Sequence, residues 1–143
     1  MGEFVERLRR AVAAQPFMET IGVRVVHAAP GEVDFELDFD ERLTQQHGFL
    51  HAGVIAAALD SACGYAAYSA AEDGSDVLTI EYKINFLAPA HGERFVLRGR
   101  VVRAGARITV CRGDAYACAD GEERHIATST TTMALRPQDQ GQA

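Results

Sequence analysis

No stretch of this chain holds the roughly 20 strongly apolar residues a membrane-spanning helix needs. The longest weakly polar segment, Gly53 to Ala71, is rich in alanine and carries Asp60. The first ten residues place Glu3, Glu6, Arg7, Arg9 and Arg10 among isolated apolar side chains, which is not the continuous apolar core of a secretory leader. Cysteines are three, Cys63, Cys111 and Cys118, with no CxxC spacing. An odd, scattered set reads as free thiols in a reducing compartment. Positive charge is also short: 14 Lys and Arg against 20 Asp and Glu give −6, and an acidic surface repels polyphosphate. Repeats, low-complexity tracts and linkers are absent. These absences point to a soluble cytoplasmic protein that binds neither membrane nor nucleic acid. Its 143 residues fit one domain over 1–143, with a polar tail at 136–143 expected to fray.

What is present is patterned. Phe4, Val5, Leu8 and Val12 recur at helical spacing, and Pro16 is read as the end of that helix. Ile21–His27 and Val33–Phe39 read as a hairpin about Ala29-Pro30-Gly31. In the second strand Val33, Phe35, Leu37 and Phe39 alternate with Asp34, Glu36, Asp38 and Asp40. Residues 41–50 read as a loop. From Ala52 to Ala71 small residues dominate, and Asp60 is the sole formal charge between His47 and Ala71, which predicts one long buried helix. Glu72–Asp76 reads as a turn. Period-two patterning then predicts strands at 77–88, 93–103, 107–118 and 124–135. The expected fold class is α+β, a six-stranded antiparallel sheet wrapped around one long central helix. A lone sheet leaves edges to cover, so association with a second copy is expected.

The segment Gln45-Gln46-His47-Gly48-Phe49-Leu50-His51-Ala52-Gly53 carries a glycine-containing loop into the start of that helix. Free N–H groups and the positive dipole end suit an anion or a developing oxyanion there, and small residues at Ala52 and Gly53 admit a close approach to the backbone. Asp60, two turns on, is costly to bury alone. Two readings stand for it: a carboxylate tied to Ser or Thr at a structural interface, or an active-site group. Eight residues separate Ala52 from Asp60, about 12 Å of helix. One carbonyl cannot touch both ends. If both serve one reaction, they come from different subunits.

Gln45-x-x-Gly48-x-x-His51-Ala52-Gly53, with Asp60 nine residues after His51, resembles the acyl-CoA thioesterases of the hotdog superfamily, nearest their phenylacetate-pathway (PaaI-like) branch. Tyr82-Lys83-Ile84-Asn85-Phe86-Leu87-Ala88-Pro89-Ala90 looks like that family's strand ending in a proline turn, and the resemblance covers about residues 15–135. It implies a hotdog fold, side-by-side dimers that commonly pair into tetramers, and hydrolysis of acyl-CoA without a cofactor, coenzyme A being part of the substrate. By the same resemblance Asp60 is nucleophile or general base, the Ala52 N–H polarises the thioester carbonyl, Gln45 helps to hold that carbonyl or the water, and Thr79 orients the water. The usual His-Gly-Gly is His51-Ala52-Gly53 here, and the usual Asn is Gln45. The N–H and the amide survive both changes.

Other residues carry weaker signals. His47 and His51 are four apart, but Gly48 lies between them and no Glu completes a zinc motif, so no metal is expected. His51 is read as orienting the loop through a backbone hydrogen bond at the substrate side. Cys63 follows Asp60 by three and is carried as a substrate-side candidate, a small core residue being its ordinary reading. Residues 94–112 hold six arginines and no acid. Arg103 and Arg107 are candidates for the phosphates of coenzyme A, with Lys83 beside them, against the default of a solvated face that balances the acids of 32–41. Phe49, Leu50, Leu59, Tyr65 and Tyr68 line a pocket or pack the core. Two other functions fit the same residues: an enoyl-CoA hydratase or dehydratase pairing an acid with His51, and a non-catalytic acyl-CoA binder.

Overall fold

Alternation in β2 (Glu32–Asp38) sets the layer arrangement: Val33, Phe35 and Leu37 are fully buried, whereas Glu32 and Asp38 face solvent. The computed structural model describes residues 2–72 and 75–137. Two helices, α1 (Gly2–Ala13) and α2 (Pro16–Ile21), precede β1 (Arg24–Ala29) and β2. A 3-10 turn (Glu41–Leu43) and the 44–51 loop then lead into α3 (Ala52–Ala70). Strands β3 (Ser75–Phe86), β4 (Arg94–Ala104), β5 (Ile108–Ala119) and β6 (Glu122–Pro137) follow. All six strands form one antiparallel sheet, as the patterning predicts, and their order is β1-β2-β4-β5-β6-β3.

Helix α3 is buried along Ile55, Ala58, Leu59, Ala62, Cys63, Ala66 and Ala67. Two strand glycines let it lie directly on the sheet. A Cβ at Gly99 would stand 2.5 Å from the Ala62 carbonyl oxygen, and one at Gly113 would meet Leu59 and the Cys63 sulfur at 3.0 Å. The core beneath the helix is Phe35, Leu37, Phe95, Leu97 and Ile126.

Several boundaries differ from expectation. Pro16 opens α2 rather than only closing α1, because proline suits the first helical turn, where its missing N–H leaves no bond unmade. Phe17–Ile21 is therefore helical, and β1 begins at Arg24. Phe39 lies outside β2 and is exposed, its N–H bonded to the Glu93 carbonyl. Arg136 and Pro137 are not frayed: they extend β6 and pair with Asp76 and Ser75. The rest of the tail, and Asp73 and Gly74 of the predicted turn, lie outside the described residues.

β3 is a sheet edge. Leu78, Ile80, Tyr82 and Phe86 along it are each 47–57% exposed. A register shift between Thr79 and Glu81 sets Ile80 apart as a bulge, so Thr79 opposes Met133 while Glu81 opposes Thr132.

Candidate active site

The loop ahead of α3 is tied closed by its own polar groups. The Gln45 side-chain oxygen accepts from the N–H groups of His47 (2.6 Å) and Phe49 (3.2 Å). Gly48 turns the chain at φ +85°, and its N–H reaches the Gln45 carbonyl. The Leu50 N–H donates to Ala90 and that of His51 to Leu43, which pins the loop to its neighbours. His51 is the N-cap of α3, its Nδ1 accepting from the Gly53 N–H at 2.8 Å. Nδ1 is thereby the acceptor in this cap, and the ring is committed to the helix start. A Cβ at position 53 would lie 2.9 Å from that nitrogen, which explains the glycine.

The cap divides the two small residues. The Gly53 N–H is taken by His51, while the exposed Ala52 N–H has no hydrogen-bond partner among the described residues. Ala52 lines an apolar cavity of about 470 Å³ together with Gln45, Phe49, Ile55, Phe86 and Ile126. A single backbone donor at a helix start, beside a side-chain amide, is suited to a carbonyl oxygen that gains charge.

Asp60 is half-buried on the other flank of the helix. The Thr79 hydroxyl donates to its Oδ1 at 2.8 Å and lies 3.4 Å from the Met133 sulfur. Burial pushes the Asp60 carboxyl above its ordinary value of 3.8, and the Thr79 hydrogen bond opposes that rise. Its cavity, about 360 Å³, is shared with Ser61, Gly64, Tyr65, Tyr68 and Gln15. Within one chain the free N–H and the carboxylate thus line different cavities.

Other sequence candidates fall elsewhere. Cys63 is fully buried between α3 and the sheet, beside Cys111, and its thiol is pushed up to about 12, so the substrate-side reading of it is corrected to a core residue. Leu59 is also core, whereas Phe49 and Leu50 line the Ala52 cavity and Tyr65 and Tyr68 the Asp60 cavity. Lys83 is exposed on β3 with its Nζ on Asn85 (2.9 Å), and it lines neither of these cavities. Of the six arginines, Arg94 pairs with Glu36, Arg100 with Asp34, Arg98 with Glu123 and Arg112 with Asp114. Arg94 and Arg100 thus balance acids of the 32–41 segment, as the solvated-face reading expects, whereas Arg98 and Arg112 pair instead with acids on β6 and β5. Arg103 and Arg107 are exposed about the β4–β5 hairpin and form no ion pair among the described residues.

Gln15, Ser61 and Gly64 line the Asp60 cavity without having been singled out from the sequence. Gly64 and Tyr68 follow Asp60 by four and eight, the spacing of one helix face, so part of that wall had a signal. Gln15 had none, because its place depends on how α1 and α2 dock.

The family model described as "Thioesterase superfamily" matches residues 47–123. A putative esterase of Saccharolobus solfataricus is 34% identical over 97 residues, covering 68% of this chain and 69% of its own. The medium/long-chain acyl-CoA thioesterase YigI of Escherichia coli is 33% identical over 96 residues, 58% of this chain and 60% of its own. The crystal structure of a thioesterase family protein from Silicibacter pomeroyi superposes with a TM-score of 0.89 at 51% identity, covering 92% of this chain and 97% of that one. The six-stranded sheet around α3 is the hotdog fold, and the chain belongs to the thioesterase superfamily.

Proposed function

We propose that this protein hydrolyses acyl-CoA thioesters at a site shared between two copies, each supplying one half. The observation that carries this reading is the division of labour within one chain. The unpartnered Ala52 N–H and the half-buried Asp60 line separate cavities, and about 12 Å of helix separates them. The exposed edge of β3, with Ile80, Tyr82 and Phe86, offers a second copy both unpaired backbone groups and apolar surface. Pairing there brings the Asp60 of one copy towards the Ala52 of the other. Such dimers would pair again into the tetramers common in this family.

In the cycle the thioester oxygen accepts from the Ala52 N–H, with the Gln45 amide beside it. Asp60 of the facing copy takes a proton from water, and the oxygen of that water attacks the carbonyl carbon. The carbonyl electrons move onto oxygen, where the Ala52 N–H holds the charge. Collapse breaks the C–S bond, and the proton on Asp60 passes to the leaving thiolate. Acid and coenzyme A depart, with water as the only co-substrate. The raised proton affinity of Asp60 favours this base role over a bystander's. The β4–β5 hairpin lies at the Thr79 end of the sheet, since Thr109 opposes Met133 and Met133 opposes Thr79. Arg103 and Arg107 there are offered to the phosphates of coenzyme A.

The substrate follows the branch resemblance, aryl-acetyl thioesters of the phenylacetate-pathway type, with longer alkyl chains as the competing class. Three unbridged thiols and an acyl-CoA substrate fit a cytoplasmic enzyme. Thiol release is measured on acetyl-, octanoyl-, palmitoyl-, phenylacetyl- and benzoyl-CoA with wild type and Asp60→Asn. Turnover lowered about 10²–10⁴-fold in the variant is expected. Equal turnover by both proteins sinks the mechanism. Binding without turnover selects the sensor reading, and hydration of an enoyl-CoA selects the hydratase.

A further inference from the structure

Gly64 sits in the middle of α3, where glycine is a poorer helix former than alanine. Glycines elsewhere in the core have a visible reason: a Cβ at Gly99 would strike backbone at 2.5 Å, and one at Gly113 would strike the Ser129 hydroxyl at 2.5 Å. At Gly64 there is none. A Cβ there would meet only the Met133 methyl, at an ordinary 3.9 Å. Packing within this chain therefore does not require the glycine. What the missing side chain does is widen the cavity that begins at Asp60.

That cavity runs along one face of α3. Gly64 lies one turn beyond Asp60, about 6 Å along the axis, and Tyr68 two turns beyond, about 12 Å. Its far wall is held rigidly. The Tyr65 hydroxyl donates to the Ala11 carbonyl at 3.1 Å and accepts from the Gln15 amide at 2.7 Å, which ties the end of α1 and the start of α2 to α3. The rings of Tyr65 and Tyr68 meet edge-on with centroids 6.1 Å apart. With the carbonyl carbon at Asp60, an acyl group that continues into this cavity meets Gly64 within about 6 Å, the depth a phenylacetyl ring reaches.

We infer that Gly64 is a specificity-determining residue: by leaving this slot open one turn from Asp60, it admits acyl groups that carry a ring or a branch close to the carbonyl, arylacetyl groups above all. The inference rests on the thioester-hydrolase reading and goes further by assigning the acyl subsite to the Asp60 cavity rather than to the apolar one beside Ala52.

Gly64→Val narrows the slot at the level of a phenyl ring but not of an acetyl methyl. Its kcat/KM for phenylacetyl-CoA is expected to fall about 10-fold or more, with acetyl-CoA held within about threefold. Gly64→Ala serves as the folding control, because the helix gains from alanine and Tm is expected to rise by about 2–5 °C. It should also show a smaller loss of the same sign on phenylacetyl-CoA, with its oligomeric state by size exclusion unchanged. Equal losses on both substrates, an unchanged phenylacetyl rate, or dissociation of the Gly64→Ala assembly each overturns the assignment. Calorimetric titration with the non-hydrolysable ketone analogues of the two thioesters separates this inference from the hydrolase reading. If wild type binds but does not turn over, selective loss of the phenylacetyl analogue in Gly64→Val still supports the slot. Equal affinities, or no binding at all, overturn it.

Discussion

The half-burial of Asp60 would serve the proposed reaction and costs the fold. A carboxyl whose proton affinity is raised by desolvation binds its proton more tightly folded than unfolded, so its ionisation costs stability as pH rises from the ordinary 3.8 through the raised folded value. Above that window Asp60→Asn, which can still accept from Thr79, is expected to raise Tm by thermal denaturation while removing turnover. On the proposed mechanism activity runs the other way, since a general base works only when ionised. The acid limb of the kcat/KM profile should therefore lie above the ordinary aspartate value of 3.8. Thr79→Val deletes the hydrogen bond that favours the ionised form, so that limb should move to still higher pH. A limb that stays in place, or moves down, would show that Thr79 does not set the proton affinity of Asp60. Asp60 itself was readable in the sequence because a single charge in a long small-residue helix demands an explanation. Thr79 came only through the family resemblance, since nothing in its own strand marks it.

At the level of elements, the start of α3 shows how two neighbours divide the backbone donors of one helix end. His51 takes the Gly53 N–H, and Gly53 must lack a Cβ for the imidazole to reach it. The two positions should therefore be strongly coupled. Gly53→Ala in the native background displaces the imidazole and loses a cap worth about 1 kcal/mol. In a His51→Ala background the clash is gone, and the same change should stabilise through helix propensity. A double-mutant cycle by urea denaturation reads this as a change of sign, and additive effects would contradict the cap. Strands β4, β5 and β6 were legible from period two alone to within about two residues, because each buries one face on α3. α2 was not, since a proline both closes one helix and opens another, and the choice depends on whether Met18 and Ile21 find a core to enter. The end of β6 was misread for a related reason: Arg136 and Pro137 look like tail but have Asp76 and Ser75 to pair with.

On the scale of the whole molecule, the sequence stated the geometric problem and the fold sharpened it, since Ala52 and Asp60 line different cavities of one chain. A site shared between copies has a signature that a site within one chain cannot imitate. Ala52 is the first residue of α3, and His51 before it sits at φ −61° and ψ 135°, the extended conformation a following proline requires. Ala52→Pro should thus keep the helix and delete only the proposed oxyanion donor, lowering kcat about 10²–10³-fold with little change in Tm. Asp60→Asn removes the other half. When the two inactive proteins are unfolded together and refolded as an equal mixture, half the dimers contain one chain of each kind. In these, one site unites the intact Ala52 of the Asp60→Asn chain with the intact Asp60 of the Ala52→Pro chain, and the other site carries both lesions. About a quarter of wild-type turnover should return, by random pairing of a two-fold assembly. If each site belonged to a single chain, every chain would carry one lesion and the mixture would stay as inactive as its parts.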